Sequence, residues 1–173
     1  MNNNVPIHIV LYSPEIPQNT GNVMRTCAAT DTPLHLIKPL GFSLDAKYVR
    51  RSSANNLDKV DVHVYEDWDD FTSKNKGEYV FLTRYGKRPP SEHDFSDLNK
   101  TYYLIFGRES TGIPKEILQA HLEHCYRLPM RSDVRSLNLA NTVAVVVYEA
   151  LRQQDYQTLS RVEVIKGEDF IYE

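Results

Sequence analysis

Apolar positions in this chain fall in short runs that alternate with longer stretches of helical spacing. Residues 5–12, VPIHIVLY, are apolar and rich in β-branched types, and Ser13 and Pro14 close them, which predicts a strand near the middle of a sheet. Pro17 suits the first turn of a helix over residues 18–30, where Val23, Met24, Cys27 and Ala28 form one apolar stripe. The alternation continues to the far end of the chain. Further strands are predicted at 34–37, 62–65, 79–83, 101–106 and 124–128, and helices at 45–53, 66–74, 114–120 and 137–154. The last helix is apolar nearly all round (Leu139, Val143, Val145, Val146, Val147, Ala150), so burial on more than one side is expected, within one subunit or against a second chain. Ser136 stands where it could cap that helix.

Strands alternating with helices predict an α/β fold with a mainly parallel sheet flanked by helices. The 173 residues suit a single domain, with a core over about 5–154 and a tail, 155–173, to which the sequence assigns no role. A net charge of -3 gives no global basic field, so a nucleic-acid partner would need a local patch. The opening residues lack the basic and apolar regions of a signal peptide, and no apolar run reaches the ~20 residues of a membrane span, so a soluble protein is expected. Cys27 and Cys125 show no CxxC spacing and read as buried, reduced thiols, which points to the cytoplasm. No metal is expected, because the six histidines show no ligand spacing, and His8, His35 and His63 sit among apolar strand neighbours as structural residues.

Polar chemistry gathers in a few loops. Gln18, Asn22 and Arg25 recur at helical spacing and share one face. A solvated helix face would show the same spacing, although Asn19, Gly21 and Asn22 lower helix propensity and suggest another reason for being there. The short helix at 45–53 opens with an acid and closes with Arg50 and Arg51, which suits its dipole, and with Lys47 these make a small basic patch that could equally meet RNA. The loop Arg84-Tyr85-Gly86-Lys87-Arg88-Pro89 has the composition of a phosphate and base contact, and equally that of an exposed connector. Gly107 to Gly112 has the glycine separation of a P-loop, but Ile113 and Pro114 stand where Lys and Ser or Thr are required, so a P-loop is rejected, as is a GxGxxG fingerprint. What remains is a strand-to-loop turn whose glycines admit close backbone approach to a ligand, with Glu109 beside them.

Three segments carry a resemblance: PEIPQNTGNVMR from Pro14 to Arg25, FGRESTGIP from Phe106 to Pro114, and Leu128-Pro129-Met130 with RSLNLAN from Arg135 to Asn141 and on to Glu149. In this order and spacing they resemble the signature motifs of the SpoU branch of the SPOUT RNA methyltransferases, and most of all its small single-domain tRNA ribose 2'-O-methyltransferases. The resemblance implies an α/β domain with a C-terminal trefoil knot, S-adenosylmethionine bound in the knotted loops, and a homodimer with the N- and C-terminal helices at its interface. It further implies tRNA as substrate, methylated on the 2'-hydroxyl of the wobble nucleotide, C or U at position 34, in leucine tRNAs. By the same resemblance the cofactor contacts are Leu82, Gly107, Leu128 and Ser136, and the catalytic set is Arg25, Asn19, Glu109 and Asn138. Arg25 matches the arginine that the family places at the ribose hydroxyl, with Asn22 at a further signature position. Arg108 departs from the pattern, since some relatives carry Pro there. Lys47, Arg50, Arg51, Arg84, Lys87, Arg88 and Arg131 are expected to form the local basic surface. The same fold could instead methylate another tRNA site or ribosomal RNA, or serve as a knotted RNA-binding protein without catalysis.

Overall fold

The computed structural model describes residues 5–45, 47–54 and 56–173, and leaves the side chains of Tyr48, Arg50, Ser52 and Leu57 undescribed. Its elements are β1 (Ile7–Tyr12), α1 (Pro17–Thr30), β2 (Leu34–Ile37), α2 (Lys47–Ser52), β3 (Val62–Tyr65) and α3 (Trp68–Lys74). After them come β4 (Glu78–Leu82), β5 (Tyr102–Phe106), α4 (Lys115–Gln119), β6 (Cys125–Tyr126) and α5 (Leu139–Gln153). The strands form one sheet in the order β3-β2-β1-β5-β4-β6, with every pair parallel. In the middle, Ile9 lies opposite both Leu34 and Leu104.

A parallel sheet needs cover on both faces, and its central strands therefore read as unbroken apolar runs. All five residues of β5 are buried. Ile7, Ile9 and Leu11 join Val23, Met24, Val143 and Val147 in one core layer, under α1 and α5. Val10, Ile37, Phe81 and Ile105 face the opposite way and pack with Phe71 of α3 and Leu118 of α4. On this second face His8, His35 and His63 form a row across β1, β2 and β3. His8 Nδ1 lies 2.8 Å from His35 Nε2, His35 Nδ1 lies 2.8 Å from the Tyr65 hydroxyl, and the His63 ring stacks 5.1 Å from that of His35. Burial, reinforced by the neighbouring histidines, pushes the His35 imidazole down to about 3, so it is neutral and structural at physiological pH.

Two expectations change at the end of the chain. Strand β6 is only two residues long, because residues 127 onward leave the sheet edge to build a loop. Helix α5 starts at Leu139 rather than 137, and its cap is Asn138, whose Oδ1 accepts the Asn141 N–H at 3.2 Å, in place of the expected Ser136. Within one chain α5 buries Ala140, Val143, Val146, Val147, Ala150 and Leu151, while Val145 and Tyr148 on its other side stay about half exposed. Among the described residues no helix is long and apolar enough to cross a membrane.

Candidate functional site

The strand order reverses between β1 and β5, since β2 and β3 extend to one side of β1 and β4 and β6 to the other. Crevices at the carboxyl ends of strands at such a point are where α/β sheets bind ligands. A cavity of about 680 Å³ opens there. Its walls come from the ends of β4 (Leu82, Thr83) and β5 (Phe106, Gly107), the start of α1 (Ile16, Asn19), and the segment from Tyr126 to Thr142. The four residues expected at a cofactor, Leu82, Gly107, Leu128 and Ser136, all line it, as do Asn19, Glu109 and Asn138.

Hydrogen bonds explain how three distant segments share one wall. Helix α1 begins at Pro17, and Ile16 at its cap position has no side chain able to accept a hydrogen bond from the first turn. Glu109, from the loop after β5, instead holds the residues that lead into the helix: its carboxylate accepts from the Glu15 N–H at 2.8 Å, the Ile16 N–H at 3.1 Å and Asn19 Nδ2 at 3.3 Å. A negative charge at this end also complements the helix dipole. Asn19 Oδ1 in turn accepts from Asn138 Nδ2 at 3.0 Å, and Asn138 caps α5. Glu109, Asn19 and Asn138 thus form one relay joining the starts of both long helices to the loop after β5.

A second contact closes the same junction, and sequence reasoning missed it. The Glu15 carboxylate accepts from the Ser110 N–H at 3.0 Å and the Ser110 hydroxyl at 2.7 Å, so residues 15 and 109–110 are bonded in both directions. These bonds, the hydroxyl foremost, hold the Glu15 carboxyl below its ordinary range. The only hint in the sequence was an acid two residues before a Pro-led helix. The glycines also close the loop. Arg108 and Gly112 pair their backbones, Gly112 has φ +72°, and a Cβ on Gly107 would overlap the backbone of Gly112 and Ile113. These glycines thus let the loop close on itself while both of them line the cavity.

Arg25, Asn22 and Gln18 lie exposed along one side of α1, and Arg25 is outside the cavity lining. Six residues separate Arg25 from Asn19, about 9 Å along the helix axis. The Arg108 guanidinium sits 5.5 Å from the Tyr12 ring centroid, and its Nε, like that of Arg127, is buried with no protein partner among the described residues. Some of the cations expected to form a basic surface are held by contacts within the chain. Arg88 donates to the Glu123 carbonyl at 2.8 Å and lies 5.0 Å from the Tyr126 ring centroid, and Arg131 makes a two-pronged pair with Asp133 at 3.0 and 2.8 Å. Lys47, Arg51, Arg84 and Lys87 are exposed, while the Arg50 side chain lies outside the described residues. Cys27 and Cys125 are free and buried, and burial pushes the Cys27 thiol up to about 12, far from a reactive thiolate.

Residues 6–148 match the model of the SpoU rRNA methylase family. A Listeria innocua protein with the provisional name tRNA (cytidine(34)-2'-O)-methyltransferase is 53% identical over 156 residues, which cover 90% of this chain and 92% of that protein. A Bacillus anthracis structure, provisionally called an RNA methyltransferase, matches with TM-score 0.85 and 48% identity, covering 91% of this chain and 99% of its own. Another, described as giving structural insights into the 2'-OH methylation of C/U34 on tRNA, matches with TM-score 0.80 and 42% identity, covering 86% and 96%.

Proposed function

We propose that this chain, which belongs to the SpoU rRNA methylase family and is a methyltransferase, methylates the ribose 2'-hydroxyl of the wobble nucleotide, C or U at position 34, of tRNA. The observation that carries the proposal is convergence: residues 14–25, 106–114 and 128–149 meet at one cleft through the Glu109, Asn19 and Asn138 relay. The methyl donor in this reading is S-adenosylmethionine, which SpoU methyltransferases use. The cleft suits it in size. Leu82, Leu128 and Leu139 offer apolar surface for a purine, and Arg108 and Arg127, which also line the cleft, bring positive charge for a carboxylate. The bound cofactor would supply an electrophilic methyl group on a sulfonium.

The protein's part is placement, which provides most of the gain in a transfer of this type. Glu109 fixes the start of α1 against the loop after β5, and Asn138 fixes α5 against α1. An arginine side chain keeps its proton at neutral pH, so Arg25 is suited to orient the ribose and its phosphate and to stabilise negative charge developing on the 2'-oxygen, rather than to act as a base. Its exposed position on α1 leaves it open to RNA arriving from solvent. The half-exposed Val145 and Tyr148 support a homodimer with α5 in the interface. The family resemblance supports a trefoil knot in the C-terminal segment and leucine tRNAs as substrates, and the reduced thiols support a cytoplasmic location. The test is transfer of labelled methyl groups to bulk tRNA, with ribosomal RNA in parallel. Wild type should label tRNA, and Arg25→Ala should lose about 100-fold or more in turnover with cofactor affinity kept within about threefold. Normal turnover in that variant would remove Arg25 from the mechanism, and labelling confined to ribosomal RNA would replace the substrate.

A further inference from the structure

The loop after β4 has a property that its internal contacts do not explain. It is strapped firmly to the end of β6: the Thr83 N–H donates to the Tyr126 carbonyl at 2.9 Å and the Arg127 N–H to the Arg88 carbonyl at 2.9 Å. A Cβ on Gly86 would overlap the Tyr126 backbone, so the loop lies flat against that strand. Yet this anchored loop holds Tyr85 with 72% of its surface exposed, at the rim of the cleft beside Leu82 and Thr83. A single exposed ring is ordinary on a protein surface, but tyrosine presents an apolar face and a polar tip that suit interfaces, and here the ring stands at a cleft beside cations. The Arg84 guanidinium is 5.8 Å from the Tyr85 ring centroid, and neither Arg84 nor Lys87 has an ion-pair partner among the described residues. Arg131, Arg152 and Arg161 each pair with an acid, so Arg84 and Lys87 are among the cations left available. In a chain of net charge -3, unpaired cations flanking an exposed ring at the cleft select a partner with both anionic and flat aromatic groups.

Single-stranded nucleic acid has that chemistry, because its phosphates meet cations and its unpaired bases stack on aromatic rings. We propose that Tyr85 is a stacking platform for an unpaired nucleobase adjacent to the methylated nucleotide, with Arg84 and Lys87 meeting the phosphates on either side. The assignment rests on the reading of the cleft as an RNA ribose methylation site. It makes Tyr85 a residue of RNA binding and leaves the cofactor to the deeper wall. The test is binding of a fluorescein-labelled anticodon stem-loop RNA, followed by anisotropy, alongside calorimetric titration of S-adenosylmethionine, for wild type, Tyr85→Ala and Tyr85→Trp. Loss of one base stack should weaken RNA binding about five- to hundredfold in Tyr85→Ala. Tyr85→Trp should restore it to within about twofold, and cofactor affinity should stay within about twofold in both. Unchanged RNA affinity in Tyr85→Ala, failure of Trp to rescue, or a parallel loss of cofactor affinity would each overturn the assignment, as would a wild type that does not bind the RNA. A wild type that binds the RNA and, in a parallel labelled-methyl assay, transfers no methyl group to it would refute the methylation reading and with it the placement beside a methylated nucleotide, whereas loss of binding in Tyr85→Ala with methyl transfer by wild type intact separates the platform from that reading.

Discussion

Removing the Glu109 carboxylate tests whether the site is assembled by that one acceptor. In Glu109→Ala the N–H groups of Glu15 and Ile16 lose their partner, and Asn19 Nδ2 loses the weaker contact at 3.3 Å. The junction is partly open to solvent, so freed donors can rehydrate, and each of the two backbone bonds is worth about 1 kcal/mol rather than the larger value of a buried charged bond. The expected loss is about 2 kcal/mol, or about 4–8 °C in Tm for a chain of this size. Glu109→Gln keeps one oxygen but turns an amide N–H toward the other donor, so it should lose about half as much. Because Asn19 then holds Asn138 without its own anchor, cofactor binding should weaken about fivefold in Glu109→Ala. Thermal melting at fixed protein concentration and calorimetric cofactor titration measure both effects. A Glu109→Ala protein with Tm within about 1 °C of wild type and unchanged cofactor affinity would show that the relay does not organise the cleft.

Two further outcomes follow from other parts of the molecule. His35 titrates near its ordinary value when unfolded and at about 3 when folded, so its contribution to stability is complete above pH 6.5 and is lost as pH falls toward 3. Between pH 6.5 and 5 it should cost about 2 kcal/mol, and His35→Gln should show a visibly shallower decline in denaturant titrations over that interval; an identical decline would assign the pH dependence elsewhere. Placing a charge on the exposed side of α5, as Tyr148→Glu, should convert a dimer to monomers in sedimentation without changing the helical signal, because about half of Tyr148 faces away from its own chain. A dimer that survives the substitution would move the interface to another face.

The sheet was readable in the sequence because its strands are covered on both faces and therefore appear as uninterrupted apolar runs such as YYLIF in β5. The same rule placed α1 within a residue, through Pro17. It misplaced the start of α5, since Leu137 continues the apolar pattern while the backbone follows the Asn138 side chain. Three-motif resemblance named Asn19, Glu109 and Asn138 together but could not say how they meet. Glu109 reaches Asn19 across 90 residues and Asn138 reaches it across 119, and no local pattern records pairings at that distance. Charge was the least legible property. Arg84, Arg88 and Arg131 look alike in the sequence, but folding commits Arg88 to the Glu123 carbonyl and Arg131 to Asp133 while leaving Arg84 unpaired. Nothing near Glu15 in sequence announced Ser110 as its partner.

The central claim is that this cleft methylates one ribose of tRNA. It is tested most directly by incubating the purified protein with S-adenosylmethionine and unmodified leucine tRNA, digesting the RNA, and mapping the added mass by tandem mass spectrometry. The account predicts a single methyl group on the 2'-oxygen of nucleotide 34, present with wild type and absent with Arg25→Ala. A methyl group found on a base, or at another nucleotide, would contradict it.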